Sequence, residues 1–444
     1  MAGTYLLRTP SSATNRKTCT LSVWIKRGAV GDRQAIASQT VDGSNETFIW
    51  FDTNDELFLK ESGESTYEFR TNRKFRDTSA WYHIVMAIDT TQSSGGNRVK
   101  LYVNGIQETS VASATDPALN DDTRWNSTTP FNIGRMSYNA EYFNGSMSHF
   151  HWIDGTAYDA SAFGSTDSTT GEWKINTSPS VTYGTNGFFI LKDSGSKTDQ
   201  SGNSNNFSEE GTPGIVSNTQ DSPSNVFATM NPLGSGAVTF SNGNNTVTKS
   251  GSGWLNAIAN LGASSGKYYA EAKAISIGGV TYGSYTGFTN LDVTNAQNTT
   301  TNFGETNDTT GISGGNGGYI YYNTGTQFAG PTSSTTNGDI LNLAMDLDNG
   351  FLYWGINGTW LNSANPASGS TGTGGMVISY LTADGTYTFG QSIREGANYS
   401  WNFGNGYFGT TAVSSAGTNA SGNGIFEYDT PTGYTALSTK GLNL

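Results

Sequence analysis

Apolar runs of strand length recur along the chain, separated by Gly, Asn, Asp and Ser. The pattern is clearest over Gly338–Trp360, GDILNLAMDLDNGFLYWGINGTW. Ile340, Leu341, Leu343, Ala344, Met345 and Leu347 form one run, and Phe351, Leu352, Tyr353, Trp354 and Ile356 a second. Asp348-Asn349-Gly350 turns the chain between them, and Asn357-Gly358 turns it again. Asn-Gly beside apolar runs predicts a hairpin, because a type I′ turn needs positive φ at both central residues. Trp81–Gly105, WYHIVMAIDTTQSSGGNRVKLYVNG, repeats the plan: a run ending in Asp89, a polar turn, a run through Val99, Leu101 and Val103, then Asn104-Gly105. Two separated copies of strand–Asp–turn–strand–Asn-Gly predict two β-modules of similar design.

Other strands are read at 20–27, where Leu21, Val23 and Ile25 alternate with Ser22, Trp24 and Lys26, and at 34–38, 47–51, 56–60, 66–70, 131–134 and 147–153. Their spacing of about eight to twelve residues predicts a sandwich or barrel. A hairpin with Asn242-Gly243 at its turn opens a second set of strands. No amphipathic helix is found; a short helical turn falls near Asp159–Phe163. The expected class is all-β: two antiparallel sandwich (jelly-roll) domains, at 1–195 and 237–412. Residues 196–236, dominated by Gly, Ser, Asn and Pro, read as a linker or a surface-hugging segment. The tail 413–444 carries Phe426, Tyr428, Tyr434 and Leu437 and is expected to pack back onto a domain.

Composition agrees with this reading. At 444 residues two domains are the natural expectation. Only 13% of residues are charged while 12% are aromatic, which is the reverse of a disordered chain. The formal net charge is −13, with 17 basic and 21 acidic residues before 196 and 6 and 15 after it. Such a chain is a poor partner for nucleic acid. Arg70, Arg73, Lys74 and Arg76 form a local basic cluster, read as a solvated loop balanced by Glu64, Glu68 and Asp77. The single cysteine, Cys19, rules out an internal disulfide and reads as a small buried hydrophobe. No stretch reads as a secretory signal or a membrane span, so a soluble protein made in a cytoplasm is expected, with release inside an assembled particle by lysis as one way out.

Three resemblances sharpen the picture. CTLSVWIKRG, WYHIVMAID…VKLYVNG and FNIGR…YFNGSMSHFHWIDGTAYDASAF occur in that order, and over about 1–195 the chain resembles the laminin-G/concanavalin-A-like superfamily. GKYYAE, DILNLAMDLDNGFLYWGING and a late SWNFGNG strand resemble the SPRY sandwich. The Asn- and Thr-rich loops lack the charged residues typical of that family, so no SPRY partner is carried over. DSPSNVFATMNPL resembles a junction found in phage virion proteins that carry concanavalin-A-like modules. The end, Gly433–Leu442, is similar to the Gly-Tyr-x-Ala-Leu-x-Thr-Lys-x-Leu close of such proteins.

The chemistry read from the residues is binding rather than catalysis. The concanavalin-A-like resemblance raises the glucanase pattern Glu-x-Asp-x-x-Glu, which would set its acids on one strand face. That pattern is absent, and Glu427-Tyr428-Asp429 is the nearest approach. No nucleophile elbow or phosphate loop is present. His149 and His151 share a face if 147–153 is a regular strand, but with His83 the only other histidine they are read as structural. Asp346-Leu-Asp348-Asn-Gly350 lacks the later ligands of a calcium loop and is read as a turn. The laminin-G resemblance implies calcium at a rim loop, for which Asp42, Asp154 and Asp159 are the candidates; no other cofactor is expected. Aromatic faces stack on sugars and amides take their hydroxyls, so Trp360 with Asn362, and Tyr319, Tyr321 and Tyr322, are the carbohydrate-binding candidates.

Together these imply a non-catalytic structural and adhesive protein on the surface of a tailed-phage particle. Its expected partners are other virion proteins, capsid or tail, and host-surface or environmental glycans, with no membrane insertion. A homo-oligomer, by analogy a trimer, is expected. The absence of a long N-terminal shaft favours a head-decorating or fibre-tip component. The alternatives are a tail-fibre receptor-binding protein, a ligand-free cement, and a concanavalin-A-like polysaccharide-degrading enzyme or secreted lectin.

Overall fold

The computed structural model describes residues 3–138, 141–192, 196–211, 218–234, 237–279, 283–291, 301–306, 308–315, 318–323, 325–329, 334–381 and 385–443. The chain forms two compact units, Met1–Asn218 and Thr219–Leu444. Each is an antiparallel β-sandwich of two sheets, and the helical content of the described residues is limited to short 3₁₀ turns.

The first unit pairs an eight-stranded sheet with a six-stranded one. Thr18–Arg27 lies near the middle of the smaller sheet, between Gly145–Asp154 and Tyr82–Asp89. Period-two alternation sends Leu21, Val23 and Ile25 into the core against Ile49, Phe51, Leu57 and Leu59 of the larger sheet. Fully burying each such side chain contributes about 1.5–3 kcal/mol. Trp24 takes the opposite face and stacks on His83, with ring centroids 4.8 Å apart. The first unit runs past residue 195: Phe207 is buried in its core, and Ser208–Glu210 pairs with Tyr5–Arg8 as an edge strand.

The second unit begins well before residue 237, since Phe227, Ala228 and Met230 are buried in it. The described parts of 196–236 thus contribute to the two sandwiches. Lys267–Ile277 lies at the centre of a nine-stranded sheet, between Ile340–Asp346 and Ala397–Asn402. Ile340–Asp346 continues through Phe351–Ile356 to the short edge strand Thr359–Trp360. Tyr268, Ala270, Ala272, Leu341, Leu343, Met345, Leu352 and Trp354 face the core, opposite Phe288 and Phe389 of the six-stranded sheet.

Alternation leaves Tyr269, Glu271, Asn342, Ala344 and Tyr353 on the outer face of the nine-stranded sheet. That face is not left to water. The C-terminal segment crosses it, burying Phe426, Tyr434 and Ala436 with Phe227 against Tyr269, Ala344 and Tyr353. Thr435–Ala436 pairs in parallel with Tyr268 and Tyr269. Residues 226–228 and 437–439 meet here. Phe227 bridges Ser438, the Ala228 N–H donates to Leu437 O at 2.9 Å, and the Thr439 N–H donates to Val226 O at 2.9 Å. They form one clasp that closes the second sandwich.

Candidate functional site

The outer face of the nine-stranded sheet carries a chain of buried polar groups beneath the C-terminal segment. Glu271, fully buried, accepts four hydrogen bonds. The backbone N–H of Tyr428 (2.9 Å) and the Tyr269 hydroxyl (3.0 Å) donate to Oε1. The backbone N–H of Glu427 (2.9 Å) and Asn402 Nδ2 (3.2 Å) donate to Oε2. Burial pushes the carboxyl up to about 7, against the pull of these four donors. Asn342 is also buried; its Nδ2 donates to the Tyr269 hydroxyl at 2.7 Å and its Oδ1 accepts the Gly358 N–H at 2.8 Å. Glu271, Tyr269, Asn342 and the Asn357-Gly358 turn are therefore one connected network.

A cavity of about 160 Å³ opens over this network, lined by Tyr269, Asn342, Gly358, Trp360, Tyr428 and Asp429. Tyr269 and Asn342 are its buried lining residues. Trp360, half-buried on the edge strand, meets the Tyr269 ring edge-on at 6.3 Å. Tyr428 and Asp429 come from the C-terminal segment. The Thr418 N–H and hydroxyl both donate to Asp429 Oδ1 at 2.7 Å, which holds the exposed carboxylate below its usual range. The cleft thus offers aromatic rings, a buried amide and an ionised carboxylate, the mixture that suits a hydroxyl-bearing ligand.

The candidate carbohydrate-binding residues are not all brought together. Trp360 lines the cleft. Asn362 stands just outside it, exposed, with φ +56° and its Nδ2 donating to Gly374 O at 3.2 Å. Tyr319, Tyr321 and Tyr322 belong to the other sheet or its approach. Tyr322 packs against the main core, while Tyr321 packs edge-on to Tyr285 at 5.7 Å beside Phe303. Alternation within Ile320–Tyr322 separates these two rings, so the three tyrosines do not form one platform with Trp360. Tyr269, Asn342, Tyr428 and Asp429 were missed because a period-two pattern marks Tyr269 and Asn342 as facing outward but does not say which distant segment covers them.

The metal candidates are separate as well. Asp42 closes its own turn by accepting the Ser44 and Asn45 N–H groups. Asp154 accepts the Asn186 N–H at 2.9 Å, and Asp159 caps a 3₁₀ turn through the Ser161 N–H. Among the described residues no three His, Cys, Asp or Glu side chains are grouped to hold a metal ion.

The histidines pack among aromatic rings. A bulge between Ser148 and His151, with His149 at φ +49°, interrupts the strand pairing there, and both rings meet Phe189, at 5.8 Å for His149 and 3.9 Å for His151. His151 is buried, stacks on Phe189 at 3.9 Å and bonds the Tyr183 hydroxyl. His83 lies between Trp24 and Trp173. The Trp173 indole N–H donates to His83 Nδ1 at 2.9 Å, so the proton sits on Nε2 and faces Ser22 Oγ. Burial pushes this imidazole down to about 3. In the basic cluster, Arg70 pairs with Asp52, Arg73 with Glu108 and Arg76 with Asp55. The partners are sheet and turn neighbours, not the expected Glu64, Glu68 and Asp77; Glu64 pairs with Arg16 and Arg124 instead.

Residues 2–163 match the laminin-G type of the concanavalin A-like lectin/glucanases superfamily. The first unit has that jelly-roll fold. No curated protein matches the chain. Among solved structures, the SPRY domain of human HERC1 is 17% identical, with a TM-score of 0.30 over 39% of this chain and 96% of that one. The TRIM65 PSpry domain is 14% identical, with a TM-score of 0.29 over 39% and 89% of the two chains. A heptameric SAP-like pentraxin from Limulus polyphemus is 16% identical, with a TM-score of 0.26 over 35% and 78%.

Proposed function

We propose that this chain is a non-catalytic adhesive protein that binds glycans through the Trp360 cleft and serves as a surface component of a tailed-phage particle. The observation that carries the binding role is the cleft itself, with rings, a buried amide and a carboxylate converging on one small cavity. The first unit's lectin-like fold is consistent with recognition of a carbohydrate or a protein. Support for the particle comes from the two segments that resemble phage virion proteins. They are far apart in sequence yet build a single clasp. A head-decorating or fibre-tip position, docked on neighbouring virion proteins, is part of the same proposal.

A hydrolytic role has less support. Retaining and inverting glycosidases need two carboxyl groups free to face the scissile bond. Both oxygens of Glu271 are committed to internal donors. Among the described residues lining the cleft, Asp429 is the one carboxylate that remains. The binding role is tested by a glycan array with the full chain and its Trp360→Ala variant. Binding to a defined glycan that is lost in the variant is expected. Binding that persists unchanged would remove the cleft from the account. The particle role is tested by locating the chain in an electron-microscopy map of the intact virion, where density on the head surface or a fibre tip is expected; absence from the particle would contradict it.

A further inference from the structure

The cleft's donors and acceptors define what kind of sugar it takes. We infer that it binds a single terminal pyranose without a negative charge and rejects sugars bearing a carboxylate. This rests on the reading of the cleft as a glycan site and narrows the ligand class.

Size comes first. A cavity of about 160 Å³ is well below the roughly 300–1,000 Å³ that encloses a drug-sized ligand. It accommodates one ring, with the rest of a glycan outside. Tyr269 and Asn342 are the buried part of its lining.

Polarity follows from the network beneath. The Gly358 N–H can only donate, so it fixes Asn342 Oδ1 toward the turn and Nδ2 toward Tyr269. One Nδ2 hydrogen is used on the Tyr269 hydroxyl. The second is not used by these bonds and is available to a ligand oxygen. The Tyr269 hydroxyl, held between Asn342 and Glu271, is already occupied. On the other wall, Asp429 Oδ1 is held by Thr418. Its Oδ2 is the acceptor left for a ligand hydroxyl. One donor and one acceptor beside aromatic rings match the vicinal hydroxyls of a neutral pyranose.

Charge decides the exclusion. Asp429 is ionised, no cationic side chain is among the described residues lining the cleft, and residues from 196 onward carry 6 basic against 15 acidic residues. A carboxylate sugar brought within a few ångströms of Asp429 meets like charge with nothing to offset it. At such distances the repulsion corresponds to about tenfold or more in affinity.

The test is saturation-transfer NMR and titration of the full chain with methyl glycosides of glucose, galactose and N-acetylglucosamine. The methyl glycosides of glucuronic acid, galacturonic acid and N-acetylneuraminic acid form the acidic set. Wild type, Trp360→Ala and Asp429→Asn are compared. The last variant keeps the Oδ1 acceptor for Thr418, removes the charge and turns the Oδ2 acceptor into an amide donor, so it is read from the ratio of acidic to neutral binding and not from neutral binding alone. The expected result is binding of at least one neutral glycoside, acidic ones weaker by about tenfold or more, and loss of that discrimination in Asp429→Asn. Equal binding of neutral and acidic glycosides by wild type, or unchanged discrimination in Asp429→Asn, overturns the inference while leaving the glycan site standing. Failure to bind any glycoside, or binding indifferent to Trp360→Ala, overturns the glycan reading and this inference with it.

Discussion

An uncompensated carboxylate is costly to bury, and Glu271 is held by four neutral donors rather than by a cation. The arrangement ties the C-terminal segment to the sheet through two successive backbone N–H groups. When Glu271 is protonated, Oε1 is the oxygen that takes the proton, because Tyr269 is the one partner able to accept. The Asn402 amide cannot turn, since its Oδ1 already receives the Gly404 and Gly406 N–H groups at 3.0 Å. Glu271→Gln places an amide where backbone donors need an acceptor and is expected to cost about 1–3 kcal/mol. The pH dependence has a definite sign. The folded-state value of about 7 lies above the ordinary 4.5, so this group's contribution is full below 4.5 and is lost as pH rises through 7. Urea unfolding of wild type and Glu271→Gln at pH 5 and pH 8 checks this: the wild-type advantage is expected to shrink at the higher pH. His83 acts in the opposite direction. Its folded value of about 3 lies below 6.5, so its contribution is present above 6.5 and is lost as pH falls. None of this was legible in the sequence. GKYYAE reads as a strand, and Glu271 reads as its exposed face until the tail is laid across it.

The hairpins were the most legible elements. Asn104-Gly105, Asn242-Gly243 and Asn357-Gly358 all have both residues at positive φ, as the Asn-Gly signal requires. The likeness of the two long hairpins extends to their hydrogen bonds. Asn104 donates its N–H to His83 O and accepts the His83 N–H on its side chain. Asn357 does the same with Ile340. Each hairpin then adds a two-residue third strand, Ile106–Gln107 or Thr359–Trp360. Less legible were the long-range partners, because pairing of Phe227 with Ser438 spans most of the second unit and leaves no local signature. Gly358 joins the two kinds of information. Its φ is +78°, and a Cβ there would lie 2.6 Å from Tyr428 Cδ1. Gly358→Ala is expected to cost about 1–2 kcal/mol from backbone strain alone, and to displace Tyr428 from the cleft wall. A lowered melting temperature together with weakened glycan binding is the expected outcome; a variant with wild-type values for both would show that the turn and the tail are not in contact.

At the scale of the molecule, the sequence supports two all-β units, and the structure moves their division. Residues 196–211 supply an edge strand and a core phenylalanine to the first sandwich, so a fragment ending at 195 loses both. Residues 1–218 are expected to give a cooperative unfolding transition alone, whereas 1–195 is expected to be markedly less stable, as measured by calorimetry. The cleft likewise depends on residues from three distant stretches, Tyr269, Asn342–Trp360 and Tyr428–Asp429, so composition and periodicity could indicate Trp360 as a candidate but could not assemble its neighbours. The most direct measurement is a crystal structure of the full chain soaked with a neutral glycoside selected by the array. The account predicts a single pyranose ring against Trp360, with hydroxyls on Asn342 Nδ2 and the Asp429 carboxylate. A sugar bound elsewhere, with the Trp360 cleft empty, would contradict it.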